Sequence, residues 1–476
     1  MLFCSRDYAL FFASVFALYW AIPRARARVY LLLAASLAFY ASWNRWLAAL
    51  IAATSTLDYL VGLGLDASDS PRRRKALLTL SVVANLGMLA AFKYANFFLD
   101  SLGAGLAAVG LASSLPVLGL ILPVGISFYT FEAINYAVDV YRRRLPAERD
   151  LGHFLLFITF FPHLVAGPIV RARDFLPQVR RPKRWSWTRA ELGVGLFVLG
   201  LAKKLAIADR MALYADPVFA HPGDYGTGAL WLATVAYAIQ IYGDFSGYTD
   251  MALGSAHLLG YKLAPNFRLP YLATSIAEFW RRWHISLSTW LRDYLFIPLG
   301  GSRGSRWRTA RNLLITMGLG GLWHGASWTF LAWGVGLGLA LIVHRAFRDW
   351  AEGYPGLVRI LATPIGTMGR VGLTWLTVGV GWVVFRSTTF AGAGTMLGGM
   401  FAPRSGLGPP LPTASFWVGL AVVAFAHWVG SRRGFRGTIV AGRWPTPAVG
   451  LGYAAGFALA LLFAPGSGEA FLYFQF

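Results

Sequence analysis

The chain has 476 residues, of which 57% are apolar, 15% aromatic and 13% charged. A soluble domain carries roughly 25% charged residues, so this chain cannot solvate a globular exterior, and its aromatic content and long apolar runs exclude disorder. The class that remains is an all-α polytopic membrane protein; at about 20 apolar residues per span, the length supplies about 10–12 transmembrane or re-entrant helices with short loops.

The 43 Lys and Arg against 21 Asp and Glu give a net charge of +22. In a soluble protein that balance suggests nucleic acid. Here the arginines fall between apolar runs, so the expected partner is the lipid bilayer with its anionic headgroups, and no nucleic acid. Cys4 is the lone cysteine, which excludes an internal disulfide, a thiolate zinc site and a redox pair. The first apolar segment, Tyr8–Ile22, has an acidic residue before it and arginines after it. That is the reverse of the usual signal order, so no cleavable leader is expected.

Stretches free of Asp, Glu, Lys and Arg then follow along the chain: 29–44, 76–92, 101–131, 225–243, 312–344, 371–385, 405–431 and 444–468. Further apolar segments follow Trp46, Leu151 and Leu192. Most are long enough to cross the hydrocarbon as helices. Arg24, Arg26 and Arg28 follow the first segment, Arg72–Lys75 the third and Arg142–Arg144 the fifth, while the loops between are nearly free of cations. This alternation predicts odd loops in the cytoplasm and the N-terminus outside. No repeat is visible, and the longest polar stretch, around Arg171–Arg189, is too short for a soluble domain of its own. The whole chain, 1–476, therefore reads as a single membrane domain.

Within it, the basic segment 266–311 stands apart, with eight arginines against Glu278 and Asp293. Ser275–Phe296 has helical periodicity, placing Trp280, His284, Leu287 and Leu291 on one stripe flanked by Arg281, Arg282 and Arg292. One reading is an interfacial amphipathic helix with Trp and Arg anchors. The other is a basic vestibule for an anionic ligand, such as the phosphates of a nucleotide-bearing donor.

His324 is the more informative residue. It lies well inside the charge-free run 312–344, in the sequence GLGGLWHGASW, at a depth of about 18–20 Å along a helix. An ionisable group at such depth is costly and by default marks a functional site. Burial disfavours the imidazolium, so a neutral ring able to accept a proton is expected. Gly318, Gly320, Gly321 and Gly325 would let substrate or another backbone approach. The bland alternative is a core histidine satisfied between helices. His284 could orient His324, bind substrate or simply belong to the Trp belt. His163 and His344 read as structural, as do Asp139 and Asp250, whereas Asp244 could be structural or line a polar path. The spacing of His, Cys and acidic residues offers no metal site. The Gly-x-Ser-x-Gly at 300–304 has no strand before it and reads as chance.

Taken together, WRRWHISLSTWLRDYLFIPLGG, GDFSGYTDMALG, NFRLPYLATSIAEFW and GGLWHGASWTF resemble the membrane-bound O-acyltransferase family, in particular its bacterial alginate O-acetylation branch. FKYANFF, PVGISFYTFEAINYAVDVYR, FFPHLVAGPIVR and the terminal FLYFQF extend the likeness over essentially the whole chain. The resemblance implies helices ringed around a central tunnel, and transfer of an acyl group from a cytoplasmic thioester donor, acetyl-CoA, to a hydroxyl acceptor across the membrane. It implies His324 as catalytic and His284 as a second important position, with no tightly bound cofactor. It also implies an exported polysaccharide such as alginate as acceptor, a periplasmic acetyltransferase partner with export machinery, and the bacterial inner membrane as location. On charge alone, Arg281 and Arg282 are candidate donor-phosphate contacts. Two mechanisms stay open: His324 as general base for direct attack, or a transient acyl-enzyme. Two other functions compete: a transporter or flippase, which shares glycine-broken helices and midplane charges, and a scaffold of an export complex.

Overall fold

In hydrocarbon no water satisfies backbone N–H and C=O groups, so a spanning chain closes its hydrogen bonds within helices. The computed structural model describes residues 1–111, 115–165, 167–433, 446–464 and 471–472. Among these the chain is helical, with a single isolated bridge, Tyr225 to Leu407, in place of any strand. The protein is an all-α polytopic membrane protein. Five helices among the described residues are long and apolar enough to cross a bilayer, and three shorter apolar helices accompany them.

The chain divides into two compact units, residues 1–193 with 252–264 and residues 194–251 with 265–476. The first contains α1 (Arg6–Ala21), α2 (Ala25–Ala41), α3 (Arg45–Asp66), α4 (Pro71–Leu89), α5 (Ala95–Ala108), α6 (Ile126–Tyr141), α7 (Leu151–Thr159), α8 (Phe161–Leu164) and α9 (Ala172–Arg180). α4 runs into α5 through a π-turn, making one long rod, Pro71–Ala108. The three arginine-bearing loops predicted to share a side do meet. Arg143 pairs with Asp69 and Arg149 with Asp66, both at 2.6 Å, and Arg26 lies 3.9 Å from Asp150. Buried Arg74 donates to carbonyls of Leu65, Ser68, Val140 and Tyr141, joining the end of α3 to the end of α6. In the apolar body of the unit, Asp58 accepts from Ser81 at 2.5 Å and from Asn85 at 2.9 and 3.0 Å. The run 101–131 is not one span. Its helix ends at Ala108, and α6 begins only after Gly125, whose φ of +75° and approach to the Leu164 carbonyl admit no side chain.

The second unit holds α11 (Asp209–Ala220), α13 (Ile276–Arg282), α14 (Ile285–Leu291), α15 (Arg306–His324), α16 (Trp328–Ala351), α17 (Pro355–Ala362), α18 (Pro364–Arg386), α19 (Phe390–Phe401), α20 (Ala414–Arg433) and α21 (Thr446–Leu462). Two helices, α10 (Trp187–Ala202) and α12 (Thr227–Leu258), carry the boundary between units within them. The predicted span 444–468 is described only over 446–464. The charge-free run 312–344 also differs from expectation. It is two arms of a hairpin, α15 and α16, which turns at Gly325–Ser327. The arms touch because glycine faces glycine. A Cβ on Gly321 would lie 2.2 Å from the Phe330 carbonyl and 3.1 Å from Gly334 Cα, and one on Gly334 would lie 2.2 Å from the Met317 carbonyl. Small residues at such contacts replace the hydrophobic drive that lipid cannot supply.

Substitution at this contact has a definite expected cost. Gly321→Ala should destabilise by about 1–3 kcal/mol through overpacking against backbone that cannot yield. Gly336→Ala, on the same hairpin with nothing near its Cβ, should be neutral or slightly stabilising. Thermal unfolding of the two variants in the same detergent checks the contrast.

Candidate active site

The segment 266–296 builds one wall of the site, and the structure corrects its predicted helix. Ser275–Phe296 is not continuous. α13 stops at Arg282, α14 restarts at Ile285, and a π-turn follows over Arg292–Phe296. The break is held from both sides by residues 266–268. The Arg268 N–H donates to the Arg282 carbonyl at 2.9 Å, the Ile285 N–H donates to the Asn266 carbonyl at 2.9 Å, and the Ser286 N–H donates to Asn266 Oδ1 at 3.3 Å. These bonds occupy backbone groups that a helix break would otherwise orphan. Trp283, 2% exposed, is locked beside it among Phe267, Phe279 and Trp382.

His284 therefore sits at φ +40°, ψ +56°, a left-handed conformation for a residue with a side chain. That conformation costs about 1–3 kcal/mol, and such costs persist where the surroundings over-determine them, often at functional sites. The ring is buried, edge-on to Phe245 at 4.6 Å. Burial pushes its pKa down to about 3, so His284 is neutral at physiological pH.

His324 closes α15 from the facing hairpin. It is buried, with Trp323, Trp333 and Phe385 set edge-on at 5.0, 5.2 and 5.3 Å. Its ring centroid is 6.4 Å from that of His284. The two histidines predicted from separate stretches are thus brought together. A mostly apolar cavity of about 210 Å³ opens beside His324, lined among others by Trp280, Ser288, Arg292, Thr316 and Gly320. It runs along α15 from His324 to Leu313, about 16 Å of helix rise. Gly320 faces this space, whereas Gly321 and Gly325 serve packing, the latter against the Phe330 ring.

The predicted arginines separate. Arg281 is exposed and lies within electrostatic reach of His344 on α16. Arg282 is engaged locally: Nε and Nη2 donate to Glu278 Oε1 at 3.0 and 2.7 Å, and Nη1 donates to the Arg268 carbonyl at 3.2 Å. Burial raises the Glu278 carboxyl, but Thr274 and Arg282 outweigh it and hold it down to about 2. In the first unit, His163 lies 3.3 Å from Glu132, which also accepts from the Val170 N–H at 2.8 Å.

A buried charge cluster behind the site is not evident from its residues taken one at a time. Lys204 Nζ sits 2.8 Å from both Asp209 and Asp244, and Lys203 pairs with Asp250 at 2.5 Å. Asp250, expected to be structural, pairs with a lysine, and Asp244, left open between a structural and a polar-path role, shares Lys204 with Asp209. Asp244 also accepts from the Leu472 N–H at 2.8 Å, seating Phe471 against Tyr248 at 4.2 Å and near Phe245, the ring that contacts His284. The signal available was two adjacent lysines in the apolar sequence LAKKLAIAD. The rest of the terminal motif, 473–476, lies outside the described residues.

Residues 118–359, which include both histidines, match the family model described as MBOAT, membrane-bound O-acyltransferase family. The chain belongs to the membrane-bound O-acyltransferase family. It is 45% identical over 404 residues to the probable alginate O-acetylase AlgI of Azotobacter vinelandii, covering 84% of this chain and 78% of that protein. It is 36% identical to a peptidoglycan O-acetyltransferase of Helicobacter pylori, covering 78% and 73%. It is also 29% identical to a teichoic acid D-alanyltransferase of Bacillus subtilis, covering 51% and 64%. The likeness to the alginate O-acetylation branch thus holds, and the protein is an O-acyltransferase, which sets aside the transporter and scaffold readings.

Lys204→Met would leave two carboxylates buried without their shared cation. The expected loss is about 3–5 kcal/mol, seen as a collapse of the melting temperature by fluorescence-detected size exclusion, with Lys204→Arg retaining much of it.

Proposed function

We propose that this O-acyltransferase carries an acetyl group from acetyl-CoA in the cytoplasm to a hydroxyl on the far side of the bacterial inner membrane, for O-acetylation of an exported polysaccharide. The observation that carries this reading is the buried imidazole of His324 on an apolar cavity, with the buried His284 ring 6.4 Å from it. A cavity about 16 Å long suits the thin arm of a thioester donor. Acetyl is the acyl group named in the more similar relatives, an alginate O-acetylase and a peptidoglycan O-acetyltransferase. Both act on carbohydrate polymers by name, which supports a glycan such as alginate as acceptor, reached directly or through a periplasmic acetyltransferase partner and the export machinery. The clustering of the arginine loops on one face of the first unit supports a cytoplasmic location for that face and an N-terminus outside.

In the proposed reaction His324 is the general base. Its neutral imidazole takes the proton of the acceptor hydroxyl as that oxygen attacks the thioester carbonyl carbon. The tetrahedral intermediate collapses, the carbon–sulfur bond breaks, and the imidazolium returns the proton to the departing thiolate. His284, held rigidly by the break between α13 and α14, positions His324 and the reacting carbonyl. Arg281 meets the donor phosphates at the cytoplasmic mouth. Arg282, spent on Glu278 and the Arg268 carbonyl, keeps the break in shape.

The test is transfer of labelled acetyl from acetyl-CoA by purified protein in lipid, with a hydroxyl acceptor or partner. His324→Ala should fold and lose transfer by about 10²–10⁴-fold; activity surviving this change would remove the assignment. Gly320→Leu should raise the donor KM by narrowing the cavity. Arg281→Ala should raise KM with kcat nearly unchanged, and an unchanged KM would take Arg281 out of the donor site. An isolable acetyl adduct on the protein in single turnover would replace direct attack by the acyl-enzyme route.

A further inference from the structure

We infer that the outer end of the α15–α16 hairpin is a binding site for one anionic phospholipid. A groove of about 320 Å³ runs between the two helices where their arginine-bearing ends meet. Its floor is aliphatic, from Ala310 and Leu313 on α15 and Ile342 and Ala346 on α16. Its cations stand at the outer end, Arg306 in the first turn of α15 and Arg345 in the last two turns of α16. Arg345 Nη1 donates to Ser302 Oγ at 3.0 Å, which ties it to the loop before α15. Asp349 also lines this end, but Arg348 engages its carboxylate at 2.8 Å, so the wall stays positive.

The surroundings decide the kind of ligand. Below the arginines, the same helices expose Leu339 and Val343 on α16 and Ile315 and Leu319 on α15. At the level of the arginines, Trp307 and Trp350 are 86% and 55% exposed, as befits side chains at the headgroup boundary. A soluble phosphate would use the cations and waste the aliphatic floor. A neutral lipid would use the floor and waste the cations. A phospholipid with net negative charge uses both, its head on Arg306 and Arg345 and a chain along Leu313 and Ile342. The groove belongs to the hairpin whose turn carries His324, so a lipid seated there clamps the two arms together.

The inference is tested on the full chain in nanodiscs of phosphatidylcholine alone, or with about a quarter phosphatidylglycerol, by native mass spectrometry of retained lipid and by thermal unfolding. Wild type should retain one phosphatidylglycerol and melt higher in its presence. Arg306→Ala with Arg345→Ala should cut retention roughly tenfold or more. Ala310→Leu with Ala346→Leu, which fills the floor and keeps both arginines, should cut it comparably, while Arg359→Ala on α17 should not. Equal retention by wild type and the arginine variant would overturn the site. So would loss in the arginine variant with none in the filled groove, which marks diffuse attraction to a basic surface. Release of the retained lipid by coenzyme A, or equal stabilisation by inorganic phosphate, would also overturn it and reassign the groove to a soluble phosphate.

Discussion

The approach of two backbones at Gly321 and Gly334 is the contact on which the site depends. Lipid offers helices no hydrophobic reason to associate, so close packing has to supply the attraction. Glycines let α15 and α16 meet with backbone atoms in contact, and the turn that joins them then falls at Gly325–Ser327. His324 is the last helical residue before that turn. A side chain placed there is fixed by Trp333 of the hairpin and by Phe385 of α18.

The opposite wall uses a different device. A helix break in an apolar interior would strand N–H and C=O groups. Here Asn266 and Arg268 take up those groups on either side of His284. The break is therefore stable, and the histidine is held in a conformation its side chain disfavours. Behind it, Phe245 links the ring to Phe471 and so to the lysine–aspartate network through Leu472 and Asp244. Charge buried in pairs is weak support for stability, but it fixes register, and here it fixes the register of the chain's end against α12.

Family membership and local geometry bear on different questions. The first makes the protein an O-acyltransferase, similar to an alginate O-acetylase and a peptidoglycan O-acetyltransferase. The second describes an apolar cavity that reaches His324, with His284 beside that ring, and an amphipathic groove toward the other end of the same hairpin. The two cavities share Leu313, so both lie along α15.

Class, helicity and the burial of His324 were legible in the sequence, because composition and position along an uncharged run are linear quantities. Charge alternation likewise marks Arg24–Arg28, Arg72–Lys75 and Arg142–Arg144 as one face, and these loops do meet. Periodicity misled at Ser275–Phe296, because a stripe at helical spacing cannot reveal that Asn266, distant in sequence, supplies the bonds that let the helix stop. The uncharged run 312–344 misled in the same way: nothing local says that Gly321 will meet Gly334 and fold one apparent span into two arms. That the His284 and His324 rings come together, that Arg282 is held by Glu278 while Arg281 is exposed, and that Lys204 bridges two aspartates were decided only by the tertiary structure. Each depends on which distant segments pack together, and packing is a property of surfaces in three dimensions rather than of spacing along a chain.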